Sequence, residues 1–183
     1  NYTMRDGLQS NEFNDGAYYK SRSGEMFFGG VNGFNAFFPE QIKDNPHIPP
    51  VVITDFQIFN KSVPIGAMSD RRVILERSIM ETDALTLSYR DSVISFEFTA
   101  LDYVIPQKNH YAYKLEGFDA DWNYISGRRF VTYTNLPARN YTFRVKGANN
   151  DGVWNEEGDM IRLAITPPFW ETWWFQTLVI LAI

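Results

Sequence analysis

Residues 111–155 read YAYKLEGFDADWNYISGRRFVTYTNLPARNYTFRVKGANNDGVWN, and this stretch decides the fold. Aromatic or aliphatic side chains occupy every second position in 111–115 and again in 141–145. Such alternation is expected of strands with one buried face, because successive side chains of a strand point to opposite sides. Residues 135–140, NLPARN, separate the two runs with turn-forming residues. The stretch therefore predicts a scaffold of strands and no catalytic motif.

The same patterns recur on both sides of this stretch. Further strands are predicted at residues 52–58, 85–89, 94–99, 130–134 and 161–165. About seven strands in roughly 115 residues is the count and size of an immunoglobulin-like or fibronectin type III-like β-sandwich. We therefore predict an all-β fold of that class.

Five aromatic residues are predicted to belong to the core of this sandwich: Tyr113, Trp122, Tyr133, Tyr141 and Trp154, with the two tryptophans filling it or capping its ends. Tyr141 begins a strand after a turn, where a tyrosine corner would let its hydroxyl bond to the backbone a few residues upstream. The two tryptophans have a second interpretation as sugar-stacking residues, since an indole ring combines an apolar face with a polar edge.

Composition excludes several classes of function. Aromatic residues make up 16% of the 183 residues and hydrophobic residues 44%, which is enough for a well-filled core. The net charge is -5 and the basic residues are scattered, so no surface for nucleic acid is predicted. The chain has no cysteine, which rules out disulfides, thiolate nucleophiles and zinc–thiolate sites within it but does not fix the compartment.

Four zones are predicted along the chain, which begins without methionine and is expected to be a segment of a longer protein. Residues 1–45 contain three short, Gly-rich strand-like runs, typical of part of a propeller blade or a meander. The proline-rich residues 46–50 form the predicted boundary. The sandwich covers residues 51–167, and residues 168–183 form a separate aromatic and apolar zone.

The last zone predicts contact with a membrane. Trp170, Trp173 and Trp174 precede the uncharged run LVILAI, which is the order of an aromatic interface followed by hydrocarbon. The run is only about half of the ~20 residues that a membrane span needs. We expect it to be the start of a transmembrane helix, and a buried final strand or helix is the alternative.

The residues at two required positions exclude a calcium loop. Residues 119–123, DADWN, place oxygen-bearing side chains at positions one, three and five of such a loop. The sixth position is Tyr124 where a glycine is needed, and the twelfth is Phe130 where a bidentate glutamate should lie. We predict a solvated turn here and no metal site.

No catalytic or cofactor-binding residue is predicted. His47 and His110 lie beside prolines or at the start of a strand, without a nucleophile–base pattern around them. Residues 29–33, GGVNG, lack the lysine and the helix of a phosphate loop. The acidic pairs that could serve a hydrolase are interpreted as solvent-facing strand residues: Glu81 with Asp83, and Asp55 with Glu97.

Together, these motifs resemble a known family. Residues 6–13 and 24–34, with Phe38-Pro39, resemble the closing blade of the two-component regulator propellers. Residues 113–119, 133–137 and 141–154 resemble the three-tyrosine (Y_Y_Y) domain that follows those propellers. Residues 167–175 resemble its usual lead into the membrane. The resemblance covers essentially the whole chain in the family's order.

The resemblance implies the periplasmic, membrane-proximal end of a sensor histidine kinase, commonly a hybrid two-component system that senses polysaccharide fragments. In that family the upstream propellers hold the ligand, and the sandwich pairs with its copy as a homodimer and relays the signal through the inner membrane. No catalytic residue of the family maps to this segment.

Two other functions remain open from the residues alone. A carbohydrate-binding module of a glycan-processing protein would show several coplanar aromatic rings on one open face. A hydrolase would need two carboxylates facing each other in a cleft. Burial of Trp122, Tyr141 and Trp154 would instead favour a stiff relay module.

Overall fold

A computed structural model describes residues 2–69 and 72–181 of the chain. Asn1, and Ala182 and Ile183 of the predicted membrane-leading zone, lie outside the described residues, as do Asp70 and Arg71. The chain divides into two compact units, Asn1–Pro46 and His47–Ile183.

The first unit is a three-stranded antiparallel sheet in the order β1 (Tyr18–Lys20), β2 (Met26–Gly30) and β3 (Gly33–Phe37). Short 3-10 helices at Met4–Asp6 and Pro39–Gln41 flank it. Aromatic rings cover both faces, because alternate residues of β2 point to opposite sides. Phe28 stacks on Phe37 on one face, and Phe27 contacts Tyr19 and Phe34 on the other.

The second unit is a β-sandwich of two sheets. Its strands are β4 (Val51–Ile58), β5 (Lys61–Ser62), β8 (Ala84–Ser88), β9 (Val93–Ala100), β10 (His110–Glu116), β11 (Asn123–Ser126), β12 (Phe130–Thr134), β13 (Asn140–Ala148) and β14 (Trp154–Thr166), with a separate ribbon of β6 (Met68–Ser69) and β7 (Arg72–Val73). One sheet has the order β11-β10-β13-β14-β8 and the other β12-β9-β4-β5. All neighbouring strands in them are antiparallel except β8 and β14, which are parallel.

The all-β sandwich predicted from the sequence is confirmed. Each of the seven predicted strands is present, and the described part of the sandwich adds the short strands β5 and β11. Its core is aromatic: Phe96 of one sheet stacks on Phe143 of the other at 4.3 Å between ring centroids. Phe56 and Phe98 complete this fully buried group. Burying each such ring contributes about 1.5–3 kcal/mol, so these contacts bind the two sheets firmly together.

A hydrogen bond from Ile53 to Asp159, which we call the Asp159 clasp, also joins the sheets at two β-bulges. The register of β13 against β14 shifts between Val145 and Gly147, and that of β4 against β9 shifts between Ile53 and Asp55. At this level the Asp159 carboxylate accepts a hydrogen bond of 2.8 Å from the Ile53 backbone N–H. A side chain of one sheet therefore accepts a hydrogen bond from the backbone of the other sheet, at the level where the bulges interrupt the regular hydrogen bonding of both sheets.

The chain enters and leaves the sandwich at opposite ends. At the N-terminal end, β4 begins at Val51, and Asn155 beside the start of β14 donates a hydrogen bond of 3.0 Å to the Pro49 carbonyl. At the C-terminal end, β14 finishes at Thr166, whose carbonyl accepts the Tyr89 N–H at 3.0 Å. The 8 residues of β4 span about 26 Å between these ends.

Candidate functional site

Tyr141 anchors the turn that precedes its own strand. It is only 3% exposed, and its hydroxyl donates a hydrogen bond of 2.9 Å to the Pro137 carbonyl, the contact of a tyrosine corner. Arg139 donates to the same hydroxyl at 3.0 Å and lies over the ring. The turn between β12 and β13 is thereby fixed to the C-terminal end of the sandwich.

Tyr133 fixes a second turn at that end. Its hydroxyl donates to the Asp119 carboxylate at 2.8 Å, and the Leu115 N–H donates to the same oxygen at 2.7 Å. Burial, this hydrogen bond and the negative charge of Asp119 raise the pKa of Tyr133 above its ordinary value of 10.0. Asp119, the first residue of the calcium-like spacing, is thus an acceptor that holds a turn.

Tyr113 links the second tyrosine to the core. Its half-buried ring meets Tyr133 edge-on at 6.4 Å and lies 6.3 Å from Phe98. Tyr113, Tyr133 and Tyr141 therefore share a place in the molecule, where the turns of the C-terminal end meet the aromatic core. The hydroxyls of Tyr133 and Tyr141 bond within turns, so these two residues hold the turns in place.

A cationic cluster lies on the outer face of the five-stranded sheet, and we call it the lysine cage: Lys146, Trp122, Tyr124, Trp154 and Glu156. The ammonium of Lys146 lies 4.8 Å from the Trp122 ring, 5.6 Å from Tyr124 and 5.3 Å from Trp154, and it pairs with Glu156 at 2.8 Å. Both tryptophans are half-buried in this cluster. They cover the outer face of the sheet and do not fill the space between the sheets.

The lysine cage is assembled by strand register. Ala112 of β10 pairs with Tyr124 on one side and with Lys146 on the other, and it is fully buried. Burial of Lys146 lowers its pKa, whereas the hydrogen bond and charge of Glu156, together with Tyr124, raise it. The raising effects are larger in sum, so the pKa of Lys146 lies above the usual value. The lysine therefore remains charged among the rings, as a cation–π contact requires.

The lysine cage is a poor platform for sugar stacking. The Tyr124 and Trp154 rings cross at 83°, so they are not coplanar. The Lys146 ammonium lies over one face of each tryptophan ring, so that face is not available to a sugar. The alternation pattern does not single out Lys146, because only the cross-strand register places a lysine beside these three rings.

Several of the remaining candidate groups take part in surface contacts. Gln57 donates hydrogen bonds to both Asp55 and Glu97, so that acidic pair is tied into a polar network on the sheet surface. Asp83 lies 3.8 Å from the Arg77 guanidinium and is highly exposed. The His110 ring contacts the Ser126 hydroxyl at 2.9 Å. Among the described residues, no cluster of three or more His, Asp or Glu side chains could hold a metal ion.

One broad concavity of about 650 Å³ lies on the same outer face, at the β8 edge. Its walls include Ala84, Thr86, Thr142, Arg162 and Ala164. The alanine and threonine side chains leave the sheet surface low and open. Glu116 also lines this concavity.

An aromatic segment, residues 169–181, follows the sandwich at its C-terminal end, and we call it the exit segment. Trp170 lies in a 3-10 helix, Phe169–Glu171, and meets the Tyr89 ring edge-on at 5.6 Å. The helix α1 (Trp173–Leu181) follows. Trp173 is 79% exposed, and Trp170 and Trp174 are about half exposed. Within the described residues, no helix is both long and apolar enough to cross a bilayer.

Comparison with known proteins identifies similar segments. Residues 102–166 match the family profile of the Y_Y_Y domain. Histidine kinase P4 of Formosa agariphila is 39% identical over 182 residues, which is 100% of this chain and 13% of that protein. The chain thus spans a small part of its curated relative.

Solved structures with a similar fold come from Bacteroides. The extracellular domain assigned to the hybrid two-component system BT3049 of B. thetaiotaomicron aligns with a TM-score of 0.66 and 28% identity, over 91% of this chain and 22% of that one. The extracellular domain assigned to the hybrid two-component system BT4673 of the same organism aligns with a TM-score of 0.57 and 28% identity, over 82% and 20%.

Proposed function

We propose that this chain belongs to the extracellular part of a two-component sensor histidine kinase, as its Y_Y_Y profile match and its similar proteins support, and that it relays a signal toward the membrane as a rigid, dimeric module. In this proposal the first unit closes an upstream β-propeller that binds polysaccharide-derived ligands. The sandwich lies in the periplasm and pairs with a second copy. The exit segment leads into the inner membrane, and the kinase activity belongs to other parts of the receptor.

The position of the two chain ends carries the proposal. The chain enters the sandwich at Val51 and leaves it at Thr166, at opposite ends of one aromatic core. A displacement of the N-terminal end must therefore pass through packed sheets before it reaches the exit segment. Close-packed interiors resist deformation, so the sandwich moves as a body.

The residues that follow β14 restrict rotation of the exit segment relative to the sandwich. Pro167 and Pro168 follow β14 directly, and a proline ring fixes its own backbone angle φ. The Tyr89 N–H bonds to Thr166 before the prolines, and the Tyr89 ring contacts Trp170 after them. Motion of the sandwich is thereby transmitted to the exit segment.

A carbohydrate-binding module is the weaker alternative. Tyr141 is buried, both tryptophans of the lysine cage are half-buried, and the rings around Lys146 are crossed and already occupied. These features support a stiff module more than a sugar platform.

Cysteine cross-linking in the intact receptor tests dimerisation. This segment has no cysteine, so single cysteines can be placed at Met160, which is 62% exposed on the five-stranded sheet, or at Phe130, which is 46% exposed on the other. We expect one of the two faces to cross-link to its copy in membranes. Failure of both, and of further surface positions on each sheet, would contradict a dimeric sandwich.

A further inference from the structure

A strained aromatic residue forms the tip of the β4–β5 hairpin at the C-terminal end. Phe59 and Asn60 are the two turn residues, with φ of 51° and 59°. Asparagine and glycine tolerate such left-handed angles, but for a bulky residue they are a genuine outlier. The Phe59 N–H bonds to the Val93 carbonyl at 2.9 Å, which holds the turn in this conformation.

Packing within the sandwich does not account for this phenylalanine. Its side chain is 51% exposed, although an asparagine or glycine would suit the turn better. Strained residues that the surrounding structure holds in place concentrate at functional sites. An exposed, strained aromatic residue at a hairpin tip therefore points to a contact outside the sandwich.

Other exposed aromatic residues lie at the same end. Phe118, in the turn after β10, is 52% exposed, and Phe169 and Trp170 are 57% and 45% exposed. The apolar helix α1 begins immediately beyond them. Exposed Arg90 also lies at this end, where its guanidinium group would meet lipid phosphates.

We propose that this end of the sandwich rests on the lipid bilayer, with the Phe59 hairpin tip and Phe118 entering the headgroup region. The inference depends on the membrane-proximal placement proposed above, and it adds a direct contact between folded domain and lipid. Aromatic side chains favour the membrane–water interface. Two contacts besides the exit segment would fix the tilt of the sandwich on the membrane.

Fluorescent labelling of the intact receptor tests this contact, in nanodiscs of phosphatidylethanolamine and phosphatidylglycerol with a spin-labelled quencher lipid. Single cysteines carrying an environment-sensitive dye are placed next to each proposed contact, at Lys61 and Asp121. Tyr103, which is 79% exposed at the N-terminal end, is the matched control, and Trp174 reports on the helix. We expect quenching and a blue shift at 61, 121 and 174, and neither at 103.

Each outcome distinguishes the two proposals. Quenching at 174 alone would overturn the lipid contact of the sandwich and leave its membrane-proximal placement standing. No quenching at any position would overturn both. Quenching at 103 as well would mean that the sandwich lies flat on the bilayer, which contradicts contact through one end.

A glycine variant separates membrane contact from folding. Phe59→Gly relieves the left-handed strain, so the midpoint of thermal unfolding should stay the same or rise. Quenching at position 61 should be lost in this variant. Retained quenching would show that the Phe59 ring is not needed for the contact, and a lower unfolding midpoint would show that the ring serves the fold. Either result would overturn the proposal.

Discussion

At the scale of single residues, hydroxyl groups of two tyrosines hold the turns of the C-terminal end. Tyr141 bonds to the Pro137 carbonyl, and Tyr133 bonds to the Asp119 carboxylate that also caps Leu115. A buried hydrogen bond contributes about 1 kcal/mol, and more when its loss leaves a partner without a bond. Each bond makes a separate prediction.

Tyr141→Phe should lower the free energy of unfolding by about 1–2 kcal/mol, because the Pro137 carbonyl and Arg139 both lose their partner. Urea denaturation measures the change. Tyr103→Phe, on a side chain that is 79% exposed, is the matched control and should leave stability unchanged. Equal stability of the two variants would contradict a structural role for the tyrosine corner.

Tyr133 predicts a loss of stability at alkaline pH. Its pKa in the folded state lies above the ordinary 10.0, so its contribution to stability is complete below about pH 10. Above that pH the unfolded chain ionises first, and unfolding is favoured by about 1.4 kcal/mol per pH unit for this group. Tyr133→Phe should show a shallower decline between pH 10 and 11 in urea denaturation. Parallel profiles for the two proteins would refute the assignment.

At the scale of secondary-structure elements, the bulge in β14 depends on one glycine. A Cβ atom at Gly158 would overlap the Val145 carbonyl oxygen, and φ there is 63°. Gly152 has φ of 82° but open space around it, so alanine at that position meets only backbone strain. Alanine variants at the two positions therefore distinguish the cost of steric overlap from the cost of backbone strain alone.

Gly158→Ala should destabilise the sandwich by more than about 3 kcal/mol, because the bulge and the Asp159 clasp must shift together. Gly152→Ala should cost only about 1–2 kcal/mol. Chemical denaturation of both variants makes the comparison. A Gly158→Ala protein as stable as Gly152→Ala would mean that the bulge can rearrange freely.

The sequence predicts the long strands of the sandwich but not its short strands or the pairing of its strands. Alternation located β4, β9, β10 and β13, because each has one face in the core. It missed β5 and β11, which are too short to show a period. The parallel pairing of β8 with β14 and the lysine cage around Lys146 depend on which strands become neighbours, which no local pattern encodes.

At the scale of the whole molecule, the coupling between sandwich and exit segment makes a prediction. Two glycines inserted between Thr166 and Pro167 should leave the sandwich folded but separate its motion from the exit segment. Under the proposed function, signalling by the intact receptor, measured with a reporter of its output, should lose its dependence on inducer. The same insertion between Tyr103 and Val104, in an exposed loop at the other end, should preserve the response. Equal responses would contradict a rigid relay.

The opposite placement of the chain ends also determines how the sandwich bears tension. A pull between Val51 and Thr166 acts along β4 and β14, which lie in different sheets. The hydrogen bonds that join these strands to their antiparallel neighbours run across the direction of pull, so they are loaded together in shear and not peeled one after another. We therefore expect the sandwich to resist unfolding when Val51 and Thr166 are pulled apart.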